Sequence, residues 1–288
     1  MHPTILKLGN LELHSYGLLL AVAFLVGIQL FLKRGVRRGL PEERLSTLSL
    51  ILLVLAIIGG RALFVLTHWS EYARDPVGVF RIWEGGLMLY GGYLLAIGGG
   101  IAYLRRVGLP IWRVGDAAAP SMALGIGIGR LGCFLNGCCF GTPTHIPWAI
   151  RFPSGSYSNF VYPGELLHPS QLYLAAAGGI LFALLLSWDR KPRFDGRLFW
   201  TYIALDAGVR FFIDFTRYYD ETSFLGTLGG LSFNVNQILS VFLVIAAAVM
   251  LRRLSRAGAA AHRADAAIGA ELEIEPVGSA PAPRDSTP

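Results

Sequence analysis

Apolar residues run in long blocks along this chain, and short polar stretches separate them. Seven blocks come close to the roughly 20 residues that an α-helix needs to cross a bilayer. They lie near residues 16–32, 47–67, 86–104, 116–131, 172–188, 198–215 and 235–251. The fourth and sixth are the least apolar and carry Arg130 and Arg210. The pattern predicts an all-α polytopic membrane protein with seven transmembrane helices. One connection is long, roughly 132–171 between the fourth and fifth helices, and it is rich in Gly, Pro, Tyr and Ser. A loop of that length without clear periodicity is more often functional than idle. No clear repeat relates the two halves. Beyond about residue 257 the apolar period stops, and Ala, Pro, Glu and Arg take over. Such a segment buries too little apolar surface to order itself. Residues 1–256 are therefore expected to form the transmembrane domain and 257–288 a disordered cytoplasmic tail.

Composition agrees with the block pattern. The chain is 53% hydrophobic and 15% charged, against roughly 25% charged for a soluble domain. Its net charge of +6 would suit nucleic acid, but the basic residues sit in short groups between apolar blocks. That distribution is a topology signal, and no nucleic-acid partner is expected. The first connection holds Lys33, Arg34, Arg37, Arg38 and Arg44, and the third holds Arg105, Arg106 and Arg113. The fifth holds Arg190, Lys191, Arg193 and Arg197, and Arg252, Arg253 and Arg256 follow the last block. In the second connection Arg74 and Arg81 are offset by Glu71, Asp75 and Glu84. The fourth has Arg151 alone, and in the sixth Arg217 precedes Asp220 and Glu221. The excess of cations on one side predicts an external N-terminus, a cytoplasmic C-terminus and an external 132–171 loop. The first apolar run is too long for a cleavable signal peptide and lacks a basic region before it.

The densest chemistry lies at 127–141, Gly-Ile-Gly-Arg-Leu-Gly-Cys-Phe-Leu-Asn-Gly-Cys-Cys-Phe-Gly. An arginine at the end of an apolar span is costly to place unless it meets an anion. Glycines beside it let backbone N–H groups approach that anion. The stretch reads as an anion-binding turn at a membrane boundary. The plainer alternative is that Arg130 snorkels to the interface and the glycines pack helices.

Other polar residues fall at membrane depth. Arg61 follows Gly59-Gly60, and Tyr90 sits inside Gly85-Gly86-Leu87-Met88-Leu89-Tyr90-Gly91-Gly92. His14 and Tyr16 open the first span. Asp206, Arg210 and Asp214 recur at i, i+4 and i+8, which puts them on one helix face. Tyr16 and Tyr90 have a plain reading as interfacial belt residues. The Asp206–Arg210–Asp214 series has one as an ion-pair ladder. Three intramembrane arginines together suit a cavity for a negatively charged group, and a phospholipid phosphate is the obvious anion.

All three cysteines, Cys133, Cys138 and Cys139, lie in the central stretch. Zinc ligation with His145 and His168, a nucleophilic thiol, and small side chains packed at a tight turn are all open readings. The C-x4-C-C spacing fits no common zinc pattern, so no metal and no other cofactor is expected.

Gly129-Arg130-Leu131-Gly132-Cys133-Phe134-Leu135-Asn136-Gly137, followed by Gly141, resembles the signature G-R-x-G-N-F-x-N-x-x-x-x-G of the prolipoprotein diacylglyceryl transferase family. Other pieces resemble the family in the right order. They are His14-Ser15-Tyr16-Gly17, Gly59-Gly60-Arg61, the 85–92 glycine segment, His168-Pro169-Ser170-Gln171-Leu172-Tyr173, and Arg210 with Asp214 and Arg217. The resemblance covers about residues 1–253. It implies a seven-helix enzyme of the bacterial inner membrane that moves a diacylglyceryl group from phosphatidylglycerol to the lipobox cysteine of a preprolipoprotein. A thioether forms and glycerol phosphate leaves. The resemblance also implies that Arg130 and Arg210 bind the lipid phosphate, with Tyr90 a third catalytic candidate. His14, Tyr16, Arg61, Gly91, Gly92, Gly132, Asn136, Gly137, Gly141, His168, Asp206 and Asp214 are the implied substrate-binding residues.

Three positions depart from the commoner family pattern. Tyr90 stands where many members have histidine, Cys133 replaces the first signature asparagine, and Cys138 replaces a frequent acidic residue. A phenol with pKa near 10 is a poor base at neutral pH. Tyr90 is nevertheless expected to point into the cavity. A transferase of the same fold with another acceptor, and an anionic-lipid transporter or binding protein, are the competing functions.

Overall fold

The computed structural model describes the backbone of residues 4–8, 11–190, 194–219, 224–228 and 231–273, with side chains for 15–83, 85–190, 194–219 and 233–260. Helices form over all seven apolar blocks. In chain order they are α1 (Ser15–Arg37), α2 (Glu42–Thr67), the single turn α3 (Trp69–Tyr72), α4 (Leu89–Arg106), α5 (Ile111–Asn136), the short α6 (Tyr157–Val161), α7 (Ser170–Asp189), α8 (Arg197–Ile213) and α9 (Val235–Glu273). Five are long and apolar enough to cross a membrane: α1, α2, α5, α7 and the Val235–Ala260 part of α9. Large apolar side chains on their outer faces stand exposed, among them Leu25, Leu50, Leu66, Ile180 and Phe242. So many bare apolar groups around a bundle belong against lipid rather than water. The protein is a helical, polytopic membrane protein.

α5 is the hub, packed against α1, α7 and α8, while α4 lies along α2 and α9 along α8. Glycines set the α2–α4 distance. A Cβ added to Gly59 would strike the Gly91 carbonyl oxygen, and one added to Gly91 would strike that of Gly59. Without lipid-driven burial, helices gain by bringing backbones close, and small residues permit it. At the end bearing the basic connections, Leu40, Leu45, Leu48, Leu104, Leu109 and Val114 form a buried cluster. Beside it Asp116 accepts the backbone N–H groups of Gly196 and Phe199, each at 2.9 Å, and so holds the start of α8.

The all-α expectation needs correction, since three two-stranded antiparallel sheets are present among the described residues. β1 (Thr4–Leu8) and β2 (Leu11–His14) run directly into α1. β5 (Phe224–Leu228) and β6 (Leu231–Asn234) run the same way into α9. Both hairpins share one register and one irregularity: Thr4 pairs His14 as Phe224 pairs Asn234, with a shift before Leu6 and before Gly226. A hairpin–helix unit thus occurs twice, a repeat the sequence did not reveal because few side chains coincide.

The 132–171 connection is also more ordered than its composition implied. It contains β3 (Ile150–Arg151) paired with β4 (Leu166–Leu167), and α6 between them. Phe140, Phe152 and Leu167 form its buried centre, with Phe140 stacked on Tyr218 at 5.3 Å. At the other terminus, α9 continues past residue 257 to Glu273, and 274–288 of the expected tail lie outside the described residues.

Candidate active site

Arg130 does not close its span. α5 continues through Leu131–Asn136, so Arg130 sits more than a turn before the helix ends. The turn itself comes at Gly137, whose φ of 73° is the left-handed conformation that glycine adopts without strain. The Gly137 N–H donates to the Phe134 carbonyl and the Cys138 N–H to that of Cys133, both at 3.1 Å. This pair of bonds is the Schellman arrangement, which satisfies the last helical carbonyls and folds the chain back over the helix end. Cys139 follows with φ 60°, an uncommon setting for a residue with a side chain. The two left-handed residues bring Cys138 and Cys139 back against Cys133. All three sulfurs lie within 4.8 Å of one another. The spacing rule missed this, because it counts residues between ligands and not the path of the chain.

Gly141 is where three segments meet. Its N–H donates to the His168 carbonyl at 3.0 Å, and the next N–H, of Thr142, donates to Thr216 at 2.9 Å. Gly141 forms a bridge with Arg217. Ser170 Oγ would stand 2.6 Å from an added Cβ, and the His168 side chain and the Thr216 carbonyl nearer still. Only glycine lets the turn after α5, the start of α7 and the end of α8 converge. Gln171, fully buried, locks the same turn by donating to the Cys138 carbonyl at 2.8 Å.

The convergence gathers charge. Arg130 and Arg217 are both electrostatic neighbours of Cys139. Asp206 lies within reach of Arg210 and Arg130, and Tyr219 within reach of Arg217, Asp214 and Arg210. Tyr16, two-fifths exposed, faces Arg130 and the three thiols. Gly132 leaves room for its ring, which would meet an added Cβ at 3.3 Å. The neighbouring Cys133 and Cys138 thiols, with the charges of Arg217 and Arg130, favour the Cys139 thiolate and hold its pKa below the ordinary thiol range. Arg130 and Arg210 have neither a hydrogen bond nor an ion pair among the described residues, so their donors remain open to an anion.

Asp214 departs from the expected ladder. α8 ends at Ile213, and Asp214 opens a 3₁₀ turn, Asp214–Thr216. Its buried carboxylate accepts the Tyr219 hydroxyl at 2.9 Å and pairs with Arg217 at 3.4 Å. Arg217 also donates to the Tyr219 hydroxyl at 2.8 Å and lies over that ring. Burial pushes the Tyr219 phenol up to about 12, so it stays a donor. Asp214 and Tyr219 therefore aim Arg217, a cation that sequence reasoning noted in the motif yet left out of the site. Its signal was the arginine following a buried aspartate by three residues.

Other expected residues are placed differently. Arg61 is buried and donates to four carbonyls of the segment before α4: Gly78 at 2.6 Å, Val79 and Gly85 at 2.8 Å, and Gly86 at 3.0 Å. It also lies over Phe64 and Tyr72. Its guanidinium is committed to holding this irregular segment, which corrects the expectation that it faces an anion. Gly91 and Gly92 pack against Gly59 and Ala56 of α2, so they admit the helix crossing. His168 turns its Nδ1 to the Tyr173 hydroxyl at 3.2 Å, and Trp148 donates to the same hydroxyl at 2.9 Å. Burial lowers the pKa of His168. Asn136 is exposed at the end of α5. Tyr90 is half-exposed in the first turn of α4, and its hydroxyl donates to Asn236 of α9 at 3.3 Å. That contact spans a seam between two helices that each pack mainly on other partners. The backbone of His14 ends β2, opposite Thr4, and its side chain lies outside the described residues.

Fold and site together define a membrane-embedded helical protein with an arginine-rich polar centre where α5, α7 and α8 converge. The profile of the family described as prolipoprotein diacylglyceryl transferase matches residues 3–253. The phosphatidylglycerol–prolipoprotein diacylglyceryl transferase of Geobacter sulfurreducens is 35% identical over 260 residues, covering 88% of this chain and 95% of its own length. The protein of the same name from Bordetella avium is 36% identical over 265 residues, with 88% and 96% covered. That from Synechococcus elongatus is 37% identical over 207 residues, with 72% and 70% covered. The chain belongs to the prolipoprotein diacylglyceryl transferase family.

Proposed function

We propose that this protein transfers the diacylglyceryl group of phosphatidylglycerol to the lipobox cysteine thiol of preprolipoproteins in the bacterial inner membrane. The observation that carries the reading is that Arg130 and Arg210, on α5 and α8 beside Asp206, make no hydrogen bond or ion pair among the described residues. A cation held at membrane depth without a partner is a standing site for an anion. In the reaction the acceptor sulfur forms a bond to the terminal glycerol carbon. The bond from that carbon to the phosphate oxygen breaks, and its electron pair leaves with glycerol phosphate. Arg130 and Arg210 hold the phosphodiester and stabilise the charge that grows on the departing oxygen. Arg217, aimed by Asp214 and Tyr219, adds a third cation. Tyr16, Gly132, Asn136, Gly137, Gly141 and His168 shape the floor and rim. Tyr90, at the α4–α9 seam, meets the incoming substrate with its hydroxyl.

The topology follows from the same reading. α4 and α8 complete seven spans, each packed along a longer apolar helix. The N-terminus and the 132–171 connection lie outside, and the end holding Arg34, Arg38 and Asp116 lies in the cytoplasm. Purified protein incubated with labelled phosphatidylglycerol and a lipobox peptide tests the function. Label on the peptide, lost when its cysteine is replaced by serine, is the expected result. Release of glycerol phosphate without peptide labelling would point to another acceptor and overturn it.

A further inference from the structure

We propose that Cys133, Cys138 and Cys139 form a binding site for a thiophilic divalent cation, zinc, whose fourth coordination position takes the acceptor thiol. The second half of this inference rests on the transferase reading; the cation site itself does not. The three sulfurs already lie within 4.8 Å of one another. Thiolates around zinc sit about 2.3 Å from the metal, which places tetrahedral neighbours about 3.8 Å apart. Closing the site therefore asks each sulfur to move by less than about 1 Å. The backbone is set for it: the Schellman turn at Gly137 returns Cys138 over Cys133, and Cys139 is held in the left-handed region. No disulfide joins these cysteines.

Charge and vacancy fit as well. Three thiolates around a divalent cation carry one net negative charge, and Arg130 and Arg217 stand beside Cys139 to offset it. Among the described residues no further histidine, cysteine or carboxylate joins the group. Three protein ligands with one open position is the pattern of catalytic zinc, whereas structural sites are closed by four.

The chemistry answers a need of the proposed reaction. The acceptor must attack as thiolate, and a free thiol is mostly protonated at neutral pH. Among groups able to take its proton, His168 faces Tyr173 and Tyr90 faces Asn236. A thiol bound to a divalent cation loses its proton outright. Here the acceptor's S–H proton passes to water as its sulfur joins the cation. The sulfur then forms its bond to the glycerol carbon as the carbon–oxygen bond to phosphate breaks. No electron is gained or lost by the cation.

The test uses the full chain, purified in detergent under reducing conditions without chelator. Elemental analysis is expected to find about one equivalent of zinc, and zinc should slow alkylation of all three cysteines by at least tenfold. Cobalt(II) in its place should give thiolate-to-metal charge-transfer absorption that shifts when a lipobox peptide is added without lipid, and not with its serine counterpart. Cys138→Ser and Cys139→Ser should each lose that absorption. They serve beside Cys133→Ser, whose buried position makes misfolding a separate cause of loss. Unchanged alkylation rates at saturating zinc, or a disulfide within the cluster, would overturn the site. A cobalt spectrum indifferent to the thiol peptide would overturn the fourth-ligand role. Transfer that proceeds at the parent rate after complete metal removal would overturn the inference while leaving the transferase reading intact. Absence of transfer in a zinc-loaded protein with the thiol-dependent spectrum would instead count against the transferase reading, the site standing.

Discussion

Replacing Gly141 by alanine tests whether the convergence of three segments controls the site. The new Cβ would stand 2.6 Å from Ser170 Oγ, where ordinary contact begins at 3.4 Å. Ser170 must therefore retreat by about 0.8 Å, and the Thr216 carbonyl and His168 by more. Thr216 cannot move alone. It accepts from Thr142 at 2.9 Å, and Arg217 beside it is bridged to Gly141. The shift thus passes to Arg217 and to the turn that carries the cysteines. Overpacking of this kind costs about 1–3 kcal/mol. A displacement near 1 Å in a catalytic constellation lowers turnover by about 10²-fold. Thermal unfolding in detergent should show a modestly lower midpoint, and the labelled-lipid assay should show turnover falling far more than the folded fraction. Gly179→Ala, at an exposed position of α7 where an added Cβ meets nothing within 4 Å, controls for general loss of glycine. Parent turnover together with a parent melting midpoint for Gly141→Ala would refute the claim that these segments are tightly joined.

Other outcomes follow from the placement of the charged groups. Arg130→Lys should fail nearly as badly as Arg130→Ala, because lysine presents a point charge where arginine grips two phosphate oxygens; full transfer by Arg130→Ala would remove the basis of the mechanism. Arg61→Ala should lose about 3 kcal/mol of stability, since it strands carbonyls of the 78–86 segment, whereas a parent melting midpoint with weakened lipid binding would restore Arg61 to the site. Tyr90→Phe keeps the ring and removes the hydroxyl bound to Asn236; a fall in kcat/KM is expected, and unchanged kinetics at every pH would reduce Tyr90 to packing. Cysteine labelling in a background lacking the native cysteines should reach the 132–171 loop from outside and the 189–197 connection only from within. Truncation after Arg256 should leave transfer close to intact.

The placement of helices and the polar centre on α5 were legible without coordinates. Block length and apolar content are local properties, and they decide helices in a bilayer because each helix satisfies its own backbone. Arg130, Arg210 and Asp206 could likewise be singled out, since an ionisable group in an apolar block stands out wherever the helix packs. The fate of Arg61 was not legible in the same way. Whether a buried guanidinium meets a ligand or a carbonyl depends on how residues 78–86 fold against it, and those contacts are made across the chain. Gly91 and Gly141 show the same limit: one admits a neighbouring helix and the other two neighbouring segments, and a glycine in sequence does not say which. The cysteines are the sharpest case. Their spacing matched no ligand pattern, yet a Schellman turn and one left-handed residue bring the three sulfurs together. Composition determined that this chain lives in a membrane, because transfer free energy sums over residues. The tertiary structure alone decided which polar groups, among the described residues, are satisfied by the protein itself and which are not, because hydrogen bonding is directional and pairwise.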